Sequence, residues 1–180
     1  MSQQHLLIAY GVVPLWILAG WVDWLCHRRS HIEDTSGTPE SALHLLLLEV
    51  GPPLLAVLYL EVDALILGVF CAAFVAHEIT AFIDVRYAAP RRRIGVVEQF
   101  AHSVLEMAPL MVLLLAASAH WPQWLALWGL GDEPARGSLA ASREAPPAAY
   151  SVGLVIALVV LGALPYLEEL SRSLRARRES

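Results

Sequence analysis

Lysine is absent from this chain, whose twelve basic side chains are all arginine. Without an ε-ammonium there is no Schiff-base nucleophile and no P-loop lysine. Cysteine is almost absent too. Cys26 and Cys71 lie in apolar stretches and form no CxxC pair, which argues against a disulfide framework or a thiolate metal site. Both are read as small packing residues. Charge is scarce, at 16% of residues against 57% hydrophobic, far from the mix of a soluble globular domain. The formal net charge of −5 argues against a nucleic-acid partner, which would call for a basic face. A secretory signal is not expected either, because MSQQHLLIAYG has no basic n-region and its apolar run outlasts an h-region.

What the chain does have is apolar length. About 20 mostly apolar residues cross a bilayer, and five windows qualify, residues 5–26, 42–61, 63–85, 97–119 and 148–168. The expectation is a single all-α integral membrane domain over 1–180, a bundle of five transmembrane helices. Spans 2 and 3 are joined only by Glu61, Val62 and Asp63, which predicts a tight hairpin. Thr38 and Pro39 read as the start of helix 2. The 120–147 connection carries Trp121, Trp124 and Trp128 and is expected to hold a short interfacial helix before an irregular loop. Residues 169–180 read as a polar tail.

Orientation follows from arginine, since flanks rich in positive charge stay cytoplasmic. Arg28 and Arg29 follow span 1, Arg86, Arg91, Arg92 and Arg93 separate spans 3 and 4, and Arg172, Arg175, Arg177 and Arg178 follow span 5. With five spans these ten fall on one side, leaving Arg136 and Arg143 on the other. The expected topology is N-terminus outside and C-terminus in the cytoplasm, in the inner (cytoplasmic) membrane.

Ionisable groups inside spans cost about 2.5–3.5 kcal/mol each on insertion scales, so their number here points to function. Asp23 and His27 are four apart, as are Glu40 and His44, and each pair shares a helical face. Glu49 lies deeper in span 2. Span 3 carries His77, Glu78 and Asp84, and span 4 carries Glu98, His102 and Glu106. Because odd spans run inward and even spans outward, all four groups fall in the cytoplasmic half. At about 1.5 Å per residue, His77, His102 and Glu49 form a deeper layer and the others a shallower one. Imidazole plus carboxylate without thiolate is the ligand mix of iron, manganese or zinc, and helical bundles hold di-metal centres in this way. The candidate ligands are Asp23, His27, Glu40, His44, Glu49, His77, Asp84, Glu98, His102 and Glu106, with Glu49 and Glu78 as candidate catalytic acids or bases.

Simpler readings stand beside these. Glu40 and Glu98 fall in first helical turns, where a carboxylate complements the macrodipole. Asp84 is close enough to Arg86 for an interfacial ion pair. His31, Glu33 and Asp34 read as solvated loop residues, Arg91 to Arg93 as topology anchors, and His5 and His120 as incidental groups at the opposite face.

The stretch His27-Arg28-Arg29-Ser30-His31 is similar to the first HxxxH box of the membrane fatty-acid hydroxylase and desaturase group, whose histidines hold two irons at the cytoplasmic face. The resemblance covers five residues, and with no two histidines adjacent the HxxHH boxes of that group have no counterpart. The leading expectation is a metal-dependent membrane enzyme with two non-haem irons, zinc or manganese being the alternatives. It would act as an oxidase, hydroxylase or desaturase on a membrane lipid or lipophilic small molecule, supplied by an electron donor. A zinc-dependent hydrolase would use Glu49, Glu78 or Glu106 as base. A b-type haem protein would pair His44 with His102 or His27 with His77. A proton or metal-ion carrier ranks third, because the outer halves of the spans offer few polar groups.

Overall fold

A computed structural model of the chain describes residues 1–179. Ser180, the last residue of the expected tail, lies outside them. The described chain is 79% helix and forms no strand. Five helices are long and apolar enough to cross a membrane: α1 (Gln3–Ser30), α2 (Gly37–Tyr59), α3 (Ala64–Ala88), α4 (Val96–Ala119) and α6 (Ala148–Glu179). The short α5 (Trp121–Leu127) follows α4, where the tryptophan-rich stretch predicts an interfacial helix.

Three interruptions in these helices share a cause. The π segments Ile8–Val12 and Leu158–Ala163 end two residues before Pro14 and Pro165, and the 3-10 segment Leu47–Val50 ends two residues before Pro52. A proline removes one N–H and pushes its ring at the carbonyl four residues back, and at these three sites the ladder upstream widens or tightens, whereas Pro109 sits within an unbroken α4. The helices continue through these sites, and the Pro52-Pro53 pair bends α2 without ending it.

Apolar residues of α1 to α4 make the core, with Ile8, Val13, Leu54, Leu58, Leu67 and Phe70 almost fully buried. By contrast α6 contributes one buried residue, Leu154, to that core, packs Tyr150, Ala157, Leu158 and Leu161 partly against it, and turns most of its apolar window outward. At the arginine-poor end Asp63 caps α3, accepting from the N–H groups of Leu65 (3.0 Å) and Ile66 (3.2 Å). Its other oxygen accepts from Ser138 N–H at 2.6 Å, so the segment after α5 folds back over the α2–α3 turn.

One expectation needs correction. Residues 169–180 read as a tail, yet α6 runs on as helix to Glu179 and packs along α1 and α2. Hydropathy ends the span at residue 168 because it counts apolar residues only. Tyr166, Glu169 and Ser173, at helical spacing, are all buried. They form a polar inward face that continues the helix.

Candidate metal centre

At the arginine-rich end, five helices deliver buried polar side chains to one place. From α1 come Asp23 and His27, one turn apart; from α2, Glu40 and His44, also one turn apart; from α3, Asp84; from α4, Glu98 and His102; from α6, Glu169. All but His102 are buried, and His102 is nearly so.

The two central imidazoles are arranged alike. His27 Nδ1 donates to Glu169 Oε2 at 3.0 Å and His44 Nδ1 donates to Glu169 Oε1 at 2.6 Å. An ionised carboxylate only accepts, so the proton in each of these bonds belongs on Nδ1, and in the neutral ring Nε2 is then the atom with the lone pair. The rings stack 4.3 Å apart and 9° from parallel. Each Nε2 then faces carboxylate oxygens. His27 Nε2 is 3.4 Å from Asp23 Oδ1 and 3.2 Å from Glu98 Oε1, and Asp23 Oδ1 is 2.9 Å from His102 Nε2. His44 Nε2 is 3.4 Å from Asp84 Oδ1 and 3.8 Å from Glu40 Oε1.

These distances test whether a metal fits. Ligand atoms bonded at the ~2.0–2.2 Å typical of His and carboxylate would sit about 3.0–3.5 Å from one another in tetrahedral or octahedral geometry. In the group Asp23, His27, Glu98 and His102 the distances of 3.4, 3.2 and 2.9 Å lie close to that spacing and all four ligand atoms are within 4.8 Å of one another, and His27, Glu40 and His44 form a second, looser group within the same limit. His27 Nε2, His44 Nε2 and Asp84 Oδ1 are buried without a hydrogen bond, while Asp23 Oδ1 has His102 Nε2 at 2.9 Å and Glu98 Oε1 has Arg92 Nη2 at 2.5 Å. Leaving such an atom unsatisfied costs about 1–3 kcal/mol. Converging free lone pairs are what a cation would satisfy. The donor set fits.

Charge points the same way. Asp23, Glu40, Asp84, Glu98 and Glu169 are all buried here, and Arg92 bridges two of them, Glu40 and Glu98. With neutral imidazoles this leaves four negative charges in excess, which two divalent cations would cancel. Arg92 Nε donates to Glu40 at 2.9 and 3.2 Å, its Nη2 also reaches Glu40, and Nη2 lies 2.5 Å from Glu98 Oε1. Burial works against its charge, but hydrogen bonds and charge from Glu40 and Glu98 more than reverse this and raise its pKa above the ordinary value.

Further contacts hold the ligands. Tyr166 OH donates to Gly20 O at 3.1 Å and approaches Asp23 Oδ2 at 3.4 Å. Glu98 Oε2 accepts from Gly95 N–H at 3.3 Å, so this residue both caps α4 and faces His27. Ser41 and Ser173 share a 2.8 Å hydrogen bond between α2 and α6.

The deeper candidates stand apart. His77 Nδ1 lies 3.6 Å from Glu49 Oε1, and Glu78 has Glu106 as its charged neighbour. None of these four joins a group of three close ligand atoms among the described residues. Depth along a helix placed His77 and Glu49 with His102, but the shallow layer is where the ligands converge. His31 does not accompany His27: it stands past the end of α1 with φ 51° and a side chain 69% exposed. The HxxxH spacing therefore puts one histidine in the cluster and one in solvent. Asp84 faces His44, not an interfacial arginine. His5 and His120 sit at the opposite end, around a polar recess with Glu144.

Two participants escaped the sequence reading. Glu169 lay beyond the apolar window, and only its spacing from Tyr166 and Ser173 signals a buried face. Nothing in the sequence sets Arg92 apart from Arg91 and Arg93. No protein-family model matches the chain, no curated protein matches it in sequence, and no solved structure matches it.

Proposed function

We propose that this is a multi-pass protein of the cytoplasmic membrane, N-terminus outside and C-terminus inside, that holds two divalent cations and oxidises a lipophilic substrate. One observation carries the reading: a single carboxylate, Glu169, takes both Nδ1 protons of a stacked histidine pair and leaves both Nε2 atoms facing carboxylates. One cation falls to Asp23, His27, Glu98 and His102, and a second would rest on His44, whose Nε2 faces Asp84 Oδ1 and Glu40 Oε1.

Imidazole and carboxylate without thiolate favour iron, with zinc and manganese next, and two irons would supply the capacity to bind and reduce O₂. Hydroxylation of the substrate joins one oxygen atom of O₂ to carbon and releases the other as water. It draws two electrons and two protons from a donor on the cytoplasmic side. The chain's own residues prepare this. Glu169 fixes both tautomers, Arg92 locks Glu40 and Glu98 in place, and Tyr166 steadies Asp23. Apolar side chains around the cluster exclude bulk water. For the hydrolytic alternative, Glu49 faces His77 and Glu78 stands outside the cluster, which leaves Glu106, on the cavity wall, as its candidate base.

Elemental analysis and an absorption spectrum of protein purified without chelator test the reading. About two equivalents of iron per chain and no Soret band are expected. A strong Soret band would move the assignment to a haem protein, and metal-free protein that cannot be loaded with Fe(II) would overturn it.

A further inference from the structure

Beside the cluster lies a cavity of about 240 Å³. Its one end is polar, formed by Asp23, His44, Asp84 and His102, and its body is walled mainly by apolar residues of all five long helices, with His77 and Glu106 also on the wall. Glycine makes part of the wall. A Cβ added at Gly162 would meet no atom within 4 Å, and one at Gly51 would reach only Trp16, at 3.8 Å. Gly162 belongs to the π segment of α6, where the widened turn moves the chain off a regular helical path.

We propose that this cavity admits an unbranched, uncharged hydrocarbon segment from the bilayer and presents it to the metal centre. The inference rests on the function proposed above for what happens at the polar end, and on the cavity alone for what binds. Size sets the first limit. An apolar cavity of about 150 Å³ takes one benzene ring, so this one holds a short run of chain carbons or a single ring, and no bulky headgroup. Charge sets the second. No arginine lines the cavity and its walls are mostly apolar, so an anionic headgroup would find no basic side chain along it. The entrance sets the third. α2 and α6 are pinned together by Ser41–Ser173 and His44–Glu169 at the arginine-rich end. Further along, the lining residues Pro52 of α2 and Leu158, Gly162 and Ala163 of α6 are exposed or half-buried. The cavity therefore opens sideways between these helices, towards the lipid-facing surface.

A linear alkyl diazirine dissolved in the bilayer of proteoliposomes tests this, with photolabelled residues mapped by mass spectrometry. Trp16 and Ile17 are buried and line the cavity, whereas Phe82 is exposed on α3 and serves as the lipid-facing control. Label is expected at Trp16 or Ile17 in the wild type. It should be lost in Gly162→Leu, which fills the cavity from α6, and in Leu55→Trp, which fills it from α2, while Phe82 stays labelled in both. Metal is measured on the same samples. Label at Trp16 or Ile17 without bound metal would support the cavity and remove the function proposed above. Bound metal with label confined to outward-facing residues would overturn the cavity proposal, as would interior label undiminished in both variants.

Discussion

The imidazoles of His27 and His44 lie face to face with 4.3 Å between ring centroids, although they come from different helices. Two imidazolium ions at that separation would repel strongly. Two neutral rings that share one carboxylate at Nδ1 and each turn Nε2 to other carboxylates are arranged as a pair of metal ligands.

The shared carboxylate is the first point to test. A carboxylate behind a ligating histidine fixes its orientation and raises its basicity, and losing one commonly costs about 10–100-fold in metal affinity. Glu169→Gln retains the shape but brings an amide that can donate, which competes with the Nδ1 protons. Competition with a chelator of known affinity should show weaker binding of both cations by at least about tenfold. Unchanged affinity for both would mean that the two rings are ordered without Glu169.

Convergence, rather than depth, should decide which histidines matter. His102→Ala removes an atom 2.9 Å from Asp23 Oδ1 and is expected to cost one cation of the pair. His77→Ala breaks only the contact with Glu49 and should leave both cations bound. Metal analysis of the two variants side by side checks this, and full metal loss in His77→Ala would put the deeper layer back into the centre.

Arg92 should be the arginine on which stability depends. Breaking a buried ion pair by removing one partner typically costs about 3–5 kcal/mol, because the abandoned charges stay buried. Arg92→Ala leaves Glu40 and Glu98 without their guanidinium and is expected to lower the thermal midpoint in detergent clearly. Arg91, whose exposed guanidinium rests 3.7 Å from the Tyr87 ring, should tolerate alanine with little change. Equal midpoints for the two variants would show that Glu40 and Glu98 are balanced in some other way.

Topology is tested separately. Reporter fusions placed after Arg93 and within residues 131–143 should report opposite sides of the membrane, the first cytoplasmic. The same side for both would mean that a span was miscounted.

How much of this is legible in the chain itself differs from element to element. The five apolar helices, the short turn between α2 and α3, and the helical pairs Asp23 with His27 and Glu40 with His44 all follow from local rules: hydropathy over about 20 residues and a period of 3.6. Such rules place residues along a helix axis and around it. They do not say which helix stands next to which. Ranking ligands by depth therefore favoured His77 and Glu49, while packing brought together the residues one or two turns nearer the helix ends.

The tertiary structure alone decided the parts played by Glu169 and Arg92. By sequence both are charged residues outside an apolar window, and nothing local separates Arg92 from Arg93. Glu169 is buried because α6 continues past its apolar stretch and lies against α1 and α2, with Tyr166 and Ser173 on the same face. Arg92 is buried because the α3–α4 connection brings it over the first turns of α2 and α4, where Glu40 and Glu98 meet. Sequence determines that a charge is present and what desolvating it would cost. Only the approach of distant segments determines which charge is desolvated and what compensates it.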